Sequence, residues 1–379
     1  MAIKLLKVFF ATLLILSVCL IARVFSYDAY HFWSLDNPPH AKYSNNARVQ
    51  NAAFINFLDF DSIILGNSYM ENTSSEIASN ILSGRFFNLS MSGSNNYERS
   101  IVLRRTLHTH NIKRVILLLT PSVSTEGHGS YPIESWNYLY DDNQVNDFKY
   151  YLNSHDIKCM LRFSKKSSCF GTEKNLDRPY AWYQYLEHTS RFGGLQNWAI
   201  HYKNPQLENL ITKEIPEATL QKISKGEVVS ETLEAEISSY LDETVFNFVD
   251  QYPHTEFLLY FNPDSLLGKV LNSRHYVEFN TYASFVRQVA EKSARYPNVH
   301  FFGFDNLAFT DDISFYKDTT HYKEEINTHL LKLIAKNKYE IREDNVDDYL
   351  SVLWERMENF DLNHFNESLQ EELKKVRGN

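Results

Sequence analysis

The sequence has 379 residues and a formal net charge of −9, with 43% hydrophobic and 22% charged residues. This composition is typical of a globular protein and supplies enough apolar side chains for a sizeable core. The negative charge argues against a nucleic-acid-binding protein, since no basic stripe offsets it. We therefore expect no nucleic-acid partner. With only 12 glycines the chain has neither a Walker loop nor a dinucleotide fingerprint, so we expect no cofactor.

The first 25 residues predict a membrane segment. Lys4 and Lys7 precede an apolar run of 15 residues, 8–22, and Arg23 ends it. With the two preceding leucines the run approaches the roughly 20 residues that span a bilayer. A cleaved signal peptide should end in a small-x-small site, which residues 22–30 offer poorly, so we favour an uncleaved anchor over a cleaved signal. Because the two lysines outweigh Arg23, the amino end should stay in the cytoplasm and the body should lie outside.

The pattern changes to alternating strands and helices at residue 61, after a stretch (26–60) without sustained periodicity that we interpret as a stalk. The predicted strands are 61–66, 85–91, 114–122, 255–263 and 298–305, and the predicted helices are 69–82, 97–110, 231–251, 276–294 and 322–336. Strands separated by helices predict right-handed crossovers and a doubly wound parallel sheet. The sequence therefore predicts an α/β domain over 61–336, a large insertion at about 123–230, and a helical tail over 337–379 that packs on the body.

Two cysteines, Cys159 and Cys169, lie ten residues apart in a polar part of the insertion. In an oxidising compartment the pair could close a small disulfide loop, and two unpaired thiols are the alternative. Neither the spacing nor the surroundings resemble a zinc site, so we expect no metal.

Ser68 follows the first predicted strand in Gly66-Asn67-Ser68 and is the candidate nucleophile. Ligands of doubly wound sheets bind beyond the carboxyl ends of the strands, where this serine should lie. A following helix would offer N–H groups and a partial positive charge that stabilise an oxyanion. Taken alone, the motif favours a helix cap instead.

The pair Asp318 and His321 stands before the last predicted helix of the domain. A serine hydroxyl needs a base before it can attack an ester, and histidine oriented by a carboxylate supplies one. A spacing of three residues lets one loop present both groups to a serine from elsewhere in the fold. Taken alone, this pair too favours a helix-capping turn.

Together these residues resemble the SGNH (GDSL-like) hydrolase superfamily: Gly66-Asn67-Ser68 after the first strand, Gly93 after the second, and Asp318-x-x-His321 before the last helix. The resemblance implies a flavodoxin-like three-layer sandwich with a parallel sheet. It also implies Ser68 as nucleophile, His321 as general base, Asp318 as its orienting partner and Gly93 as an oxyanion donor. Asn67 and Tyr69, on either side of Ser68, are further candidates for oxyanion or substrate contacts.

Two positions depart from the family pattern. Asn67 stands where the family usually has aspartate, and residues 117–125, after the third strand, lack the expected oxyanion-donating asparagine. An anchored, divergent body of this kind is similar to the proteins of alginate O-acetylation and to the DltD-like proteins. That similarity implies a single-pass protein of the bacterial cytoplasmic membrane whose body faces the periplasm or outside, beside a membrane-bound O-acyltransferase.

Three aromatic segments of the insertion, 131–140, 180–186 and 192–202, bear on the substrate. Aromatic faces beside amides can stack on sugar rings, whereas the alternative is that these side chains pack the insertion on the body. The leading hypothesis is a serine acyl-transfer enzyme that modifies a cell-envelope or exported polysaccharide. A carbohydrate esterase or lipase-type hydrolase and a non-catalytic scaffold for a glycan or a membrane acyltransferase are the alternatives.

Overall fold

The computed structural model describes residues 2–35, 42–127, 129, 131–275 and 277–378. Its strands are β1 (Lys42–Tyr43), β2 (Ser62–Leu65), β3 (Phe86–Asn88), β4 (Arg114–Leu119), β5 (Thr172–Glu173), β6 (Glu256–Phe261) and β7 (Val299–Phe302). Its α-helices are α1 (Ala2–Tyr27), α2 (Ala47–Phe57), α3 (Ser75–Leu82), α4 (Asn96–Thr109), α5 (Ser154–Leu161), α6 (Ser167–Phe170), α7 (Leu186–Thr189), α8 (Leu195–Ile200), α9 (Pro205–Asn209), α10 (Ile215–Thr219), α11 (Glu231–Leu241), α12 (Asn247–Gln251), α13 (Leu266–His275), α14 (Phe279–Ser293), α15 (Glu324–Ile334), α16 (Val346–Glu358) and α17 (Leu362–Arg377). The π-helical segments Leu210–Glu214 and Asp242–Phe246 join α9 to α10 and α11 to α12.

The chain divides into two compact units. The first contains Met1–Asp59 and Glu126–Asn175, and the second contains Phe60–Thr125 and Leu176–Asn379. The boundaries predicted from the sequence cut the chain at other places, because the predicted stalk and the first part of the predicted insertion belong to the same unit.

In the first unit, α1 is a helix whose apolar side chains are largely exposed. The most apolar 18-residue window of Ile3–Tyr27 has a mean hydropathy of 2.6, and none of that window is buried. At about 1.5 Å per residue, 25 residues are long enough to cross the roughly 30 Å of a bilayer's hydrocarbon core. The chain therefore has one amino-terminal helix that is long and apolar enough to span a membrane.

Part of the stretch 26–60, which we interpret as a stalk, is helical in the first unit. Helix α2 begins after Asn46, whose side chain accepts a hydrogen bond from the N–H of Arg48, and most of its residues are buried. Helix α2 could not be predicted from the sequence because it buries polar side chains such as Gln50 and Asn51. It therefore lacks the amphipathic pattern by which most helices are identified. Strand β5, too short to be predicted, pairs antiparallel with β1.

Cys159 and Cys169, also in this unit, form a disulfide with their Cα atoms 5.7 Å apart. The ring of His155 lies beside them, with Nε2 3.5 Å from the sulfur of Cys159. These three side chains have the residue types of a metal site, but cysteines in a disulfide have no thiolates to offer a metal.

The second unit is built on a five-stranded, wholly parallel sheet in the order β3-β2-β4-β6-β7. Counted along this unit the order is 2-1-3-4-5, one of the common doubly wound arrangements. Successive side chains of β4 point to opposite faces of the sheet, and those on both faces are buried. Both faces of the sheet are therefore covered. Helices α3 and α15 contribute Ala78, Ile326 and Leu330 to the core on one face. The predicted doubly wound parallel sheet is confirmed, and all five predicted strands are present, each shorter than predicted.

The helical tail is also present in this unit. Helix α16 buries Leu350, Leu353 and Met357, and α17 buries Leu369 and Leu373. The carboxyl ends of β2, β4 and β6, and the loops that follow them, form the edge of the sheet at which the candidate residues lie.

Candidate active site

Ser68 lies in a turn rather than at the start of a helix. Strand β2 ends at Leu65, and residues 67–72 form successive turns before α3 begins at Ser75. The side chain of Asn67 accepts a hydrogen bond from the N–H of Tyr69 (3.1 Å), and this contact shapes the first turn. The prediction of a helix from residue 69 is wrong, because α3 begins only at Ser75. The side chain of Ser74 caps its amino terminus by accepting a hydrogen bond from the N–H of Ile77. Ser68 therefore does not lie at the amino terminus of α3.

Asp318 and His321 lie on one loop between β7 and α15. An isolated bridge between Tyr316 and Tyr322 closes the base of this loop. One oxygen of Asp318 accepts hydrogen bonds from the backbone N–H groups of Thr320 (3.0 Å) and His321 (2.8 Å). These contacts fix the carboxylate relative to the imidazole.

The loop brings His321 to Ser68, although the two residues are 253 positions apart in the chain. Ser68 Oγ is 2.9 Å from His321 Nε2, and His321 Nδ1 is 2.9 Å from Asp318 Oδ2. When Nδ1–H donates to the carboxylate, Nε2 is the acceptor for the serine hydroxyl. The three residues therefore have the geometry of a nucleophile, a base and the carboxylate that orients it.

Charged neighbours keep Asp318 ionised. Burial acts to raise the pKa of this carboxyl, but the imidazole of His321, its hydrogen bonds and the ammonium of Lys317 outweigh burial and hold the pKa well below its usual range. Lys317 Nζ is 3.9 Å from Asp318 Oδ2. An anionic Asp318 can hold the Nδ1–H tautomer and stabilise the imidazolium that forms when serine loses its proton.

Lys317 belongs to a buried cationic cluster beside the triad. Its Nζ lies 4.3 Å from the ring centre of Trp182 and 3.4 Å from His188 Nδ1, which also accepts a hydrogen bond from Arg191 (2.9 Å). Burial lowers the pKa of Lys317 to about 8, against the pull of Asp318. Burial and the two cations lower the pKa of His188 to about 4, so His188 is neutral and acts as an acceptor at physiological pH.

Trp182 is a site residue that the sequence did not identify as one. Its indole N–H donates to the carbonyl of Ser68 (2.8 Å), and its ring lies edge-to-face with His321 at 5.6 Å. The buried side chain of Asn72 accepts hydrogen bonds from the backbone N–H groups of Trp182 (3.0 Å) and Tyr183 (3.1 Å). Asn72 thus ties the segment carrying Trp182 to the turn that carries Ser68.

The other predicted site residues surround Ser68 in different ways. The ring of Tyr69 lies edge-to-face with that of His321 at 4.8 Å, and burial raises the pKa of Tyr69. Gly93 has φ 66°, a backbone conformation that favours glycine. The turn carrying Gly93 lies against Gly66, whose carbonyl accepts from Met91 N–H (2.9 Å) and Ser94 Oγ (3.2 Å). The oxyanion role of Gly93 stays a prediction.

The end of β4, where the family pattern expects an asparagine, is held by side chains of α4. Asn96 Oδ1 accepts from the N–H of Thr120 (2.9 Å), and Asn96 Nδ2 donates to the Thr120 carbonyl (2.8 Å). The fully buried guanidinium of Arg99 donates to the Leu118 carbonyl and to Thr120 Oγ1. Burial lowers the pKa of Arg99 to about 10.

The aromatic segments of the insertion divide between the two units. Segment 131–140 lies in the first unit, with Trp136 and Tyr140 buried there. In the second unit Trp182 and Trp198 are buried, while Tyr185 is half exposed. Packing therefore accounts for the tryptophans, and Tyr185 is the aromatic of these segments most accessible near the triad.

No model of a known protein family matches this chain, and no curated protein matches it. One solved structure from Streptococcus pneumonia, described as "a putative platelet activating factor", has a TM-score of 0.35 and 11% identity, covering 80% of this chain and 91% of that one. At this degree of likeness, the match supports neither a fold family nor an activity for this protein.

Proposed function

We propose that the protein is a serine-dependent acyl-transfer enzyme in which Ser68, His321 and Asp318 form a catalytic triad. The observation that carries the proposal is the continuous chain of two contacts, 2.9 Å each, from Ser68 Oγ through the imidazole to Asp318. Ser68 and His321 are partly exposed, so an ester can reach them.

The proposed reaction has two steps. Ser68 Oγ attacks the carbonyl carbon of the donor while its proton passes to His321 Nε2, and the bond between that carbon and the leaving oxygen then breaks. The imidazolium protonates the leaving group. In the second step His321 takes a proton from an acceptor hydroxyl, whose oxygen forms the new ester as Ser68 Oγ leaves and recovers its proton.

The same residues support membership of the SGNH hydrolase superfamily as part of the proposal. The order of Ser68, Gly93 and the Asp318–His321 pair along the chain agrees with that family's pattern, and the strand order 2-1-3-4-5 is compatible with it. The absent asparagine after β4 is the main departure, and it leaves backbone N–H groups near Ser68 and Gly93 as the proposed oxyanion donors.

The proposed setting is the outer side of a bacterial cytoplasmic membrane. The apolar helix Ile3–Tyr27 and the lysines at its amino end support a single-pass anchor with the body outside. A cell-envelope or exported polysaccharide is the proposed acceptor, and a membrane-bound O-acyltransferase is the proposed supplier of acyl groups.

Hydrolysis is the second candidate, because the partial exposure of Ser68 and His321 also admits water. Esterase and transferase share the covalent step and differ in whether water or a sugar hydroxyl resolves it.

Trapping the covalent intermediate tests the proposal. The full chain in detergent micelles is mixed with p-nitrophenyl acetate, quenched at intervals and measured by intact mass and peptide mapping, with added cell-wall oligosaccharides in a parallel series. We expect an acetyl ester on Ser68 that is absent from Ser68→Ala and unchanged in Ser351→Ala, an exposed serine on α16. Faster deacylation with acetylated oligosaccharide as product supports the transferase, and deacylation to acetate alone supports the esterase. An unmodified Ser68 in folded protein would contradict the enzyme hypothesis and favour the non-catalytic scaffold.

A further inference from the structure

A cavity of about 250 Å³ lies in the second unit beside the triad. Asn67 and Tyr69, the two chain neighbours of Ser68, both line it, and so do the residues that follow β4 and β6. The cavity is therefore at the carboxyl edge of the sheet, where doubly wound folds bind ligands. The catalytic geometry described above does not use it.

The wall of the cavity is mainly apolar. Helix α16 contributes Leu353 and Met357, the start of α14 contributes Phe279, and the strand ends contribute Leu119 and Phe261. Each of these side chains is buried. A site built this way binds hydrocarbon far better than it binds a hydrated sugar.

The charged residues that line the cavity are Lys269 and Asp264, with Lys269 Nζ 3.9 Å from Asp264 Oδ2. Asp305, which does not line the cavity, is a second carboxylate partner of Lys269. Lys269 Nζ is 3.0 Å from Asp305 Oδ1, and its ammonium lies 4.4 Å from the ring centre of Tyr282. Tyr282 and Tyr349 both donate to Asp305 Oδ2, at 2.5 and 2.6 Å. This network offers a ligand no unpaired ammonium, so it does not favour an anionic occupant.

We propose that this cavity binds the hydrocarbon chain of the acyl group carried by Ser68, and that the chain is longer than acetyl. The inference rests on the proposed function and extends it to the class of donor. An apolar cavity of about 150 Å³ is known to accept benzene, so about 250 Å³ has room for a chain of roughly six to eight carbons.

A chain-length series on the full chain in detergent micelles tests the proposal. The kcat/KM is measured for p-nitrophenyl acetate, butyrate, hexanoate and octanoate in the unmodified protein, in Met357→Trp, which fills the cavity, and in Phe279→Ala, which enlarges it. Val352→Phe is the matched control, because Val352 lies on the exposed face of α16. Each ratio is taken against the unmodified protein at the same micelle concentration, so that partition of the esters into micelles cancels.

We expect kcat/KM to rise about fourfold for each added methylene until the cavity is full. Met357→Trp should lower kcat/KM for hexanoate and octanoate by at least about tenfold relative to acetate. Phe279→Ala should move the optimum to a longer chain, and Val352→Phe should keep the unmodified profile. Because Phe279→Ala acts in the opposite direction, the proposal stays testable where Met357→Trp fails to fold.

Two results would overturn the proposal in distinguishable ways. The first is Ser68-dependent turnover whose kcat/KM does not change with chain length, or cavity variants that change only the rate of deacylation by an oligosaccharide acceptor. Either outcome would remove the acyl-chain assignment and leave the proposed function intact. Absence of any Ser68-dependent turnover in folded protein would remove both.

Discussion

At the scale of single residues, the indole of Trp182 connects the two parts of the candidate site. It donates to the carbonyl of Ser68 and packs edge-on against His321. A side chain that contacts both the backbone of Ser68 and the ring of His321 restricts the distance between these two residues. Such positioning affects the rate of the chemical step more than the binding of substrate.

We predict that Trp182→Phe, which keeps most of the ring and loses the N–H donor, lowers kcat for p-nitrophenyl esters about fivefold to tenfold with little change in KM. Trp136→Phe is the matched control, because its buried indole also donates to a backbone carbonyl, that of Tyr131, and both residues belong to the first unit. Steady-state kinetics on both variants checks the prediction. Equal losses of kcat in the two variants would contradict a positioning role for Trp182.

Lys317 gives a pH-dependent prediction about stability. Its ammonium is buried, and burial lowers its pKa from 10.5 to about 8. Below pH 8 the folded protein must hold a charge that burial disfavours. Between pH 8 and 10.5 the folded state is deprotonated while the unfolded state still binds the proton, so stability rises with pH across this window.

We therefore predict that Lys317→Met raises the free energy of unfolding by about 3 kcal/mol at pH 6, given about 1.4 kcal/mol per pKa unit. The advantage should shrink above pH 8 and vanish near pH 10.5. Denaturant unfolding at pH 6 and pH 10 measures it. An advantage that is the same at both pH values would show that the ammonium charge is not its cause.

The proximity of Ser68, Asp318 and His321 could be predicted from the sequence because their identities and order carry the information. Trp182, Asn72 and Lys317 could not, since each acts through a contact that exists only after distant segments meet. Asn72 looks like any loop asparagine until its side chain receives two N–H groups from residues 182 and 183. Nothing in local spacing indicates such a partner.

At the scale of elements, the end of β4 depends on one buried arginine of α4. The Arg99 guanidinium donates to the carbonyl of Leu118 and to the side chains of Asn96 and Thr120. These contacts fasten the strand end next to the cavity and the triad. Removing the guanidinium leaves buried acceptors without donors, which costs more than the hydrogen bonds themselves contribute.

We predict that Arg99→Met lowers the free energy of unfolding by about 3 kcal/mol or more. Arg104→Met, on the exposed side of the same helix, should change it by less than about 0.5 kcal/mol. Denaturant unfolding of both variants measures the difference. Equal stabilities would exclude the proposed role of Arg99 at the strand end.

The elements of the sheet were the most predictable part of the fold. A strand that is buried on both faces of the sheet must be apolar at every position, and the run 115–119 in β4 shows this pattern. Helix α2 and the turns after Ser68 were not predicted. Helix α2 buries polar side chains, and the turns after Ser68 depend on hydrogen bonds that the side chains of Asn67 and Ser74 accept from backbone N–H groups rather than on apolar spacing.

At the scale of the whole molecule, the amino-terminal helix α1 is long and apolar enough to span a membrane. The side chains of Leu13 and Leu16 on α1 are 50% and 61% exposed. Such exposure of apolar side chains is unfavourable in water and favourable in a bilayer. The formal net charge of the chain is −9, and helix α1 has three basic and no acidic side chains, so the rest of the chain has a formal net charge of −12. Such a charge favours an aqueous environment.

We predict that the full chain remains with membranes after an alkaline carbonate wash. Leu13→Lys combined with Leu16→Lys should release it, because each lysine near the centre of a span costs about 2.5–3.5 kcal/mol. Leu152→Lys with Leu161→Lys, two exposed leucines outside α1, is the control that should stay bound. Release of the unmodified protein by the wash would contradict an uncleaved anchor.

The central claim is that His321 activates Ser68 as a nucleophile, and labelling with a fluorophosphonate probe tests it most directly. The full chain in detergent is incubated with the probe, and the labelled peptide is identified by mass spectrometry. We predict labelling at Ser68, with a rate that falls by a factor on the order of 10³ or more in His321→Ala. An unlabelled Ser68 in folded protein, or equal labelling in His321→Ala, would contradict the claim.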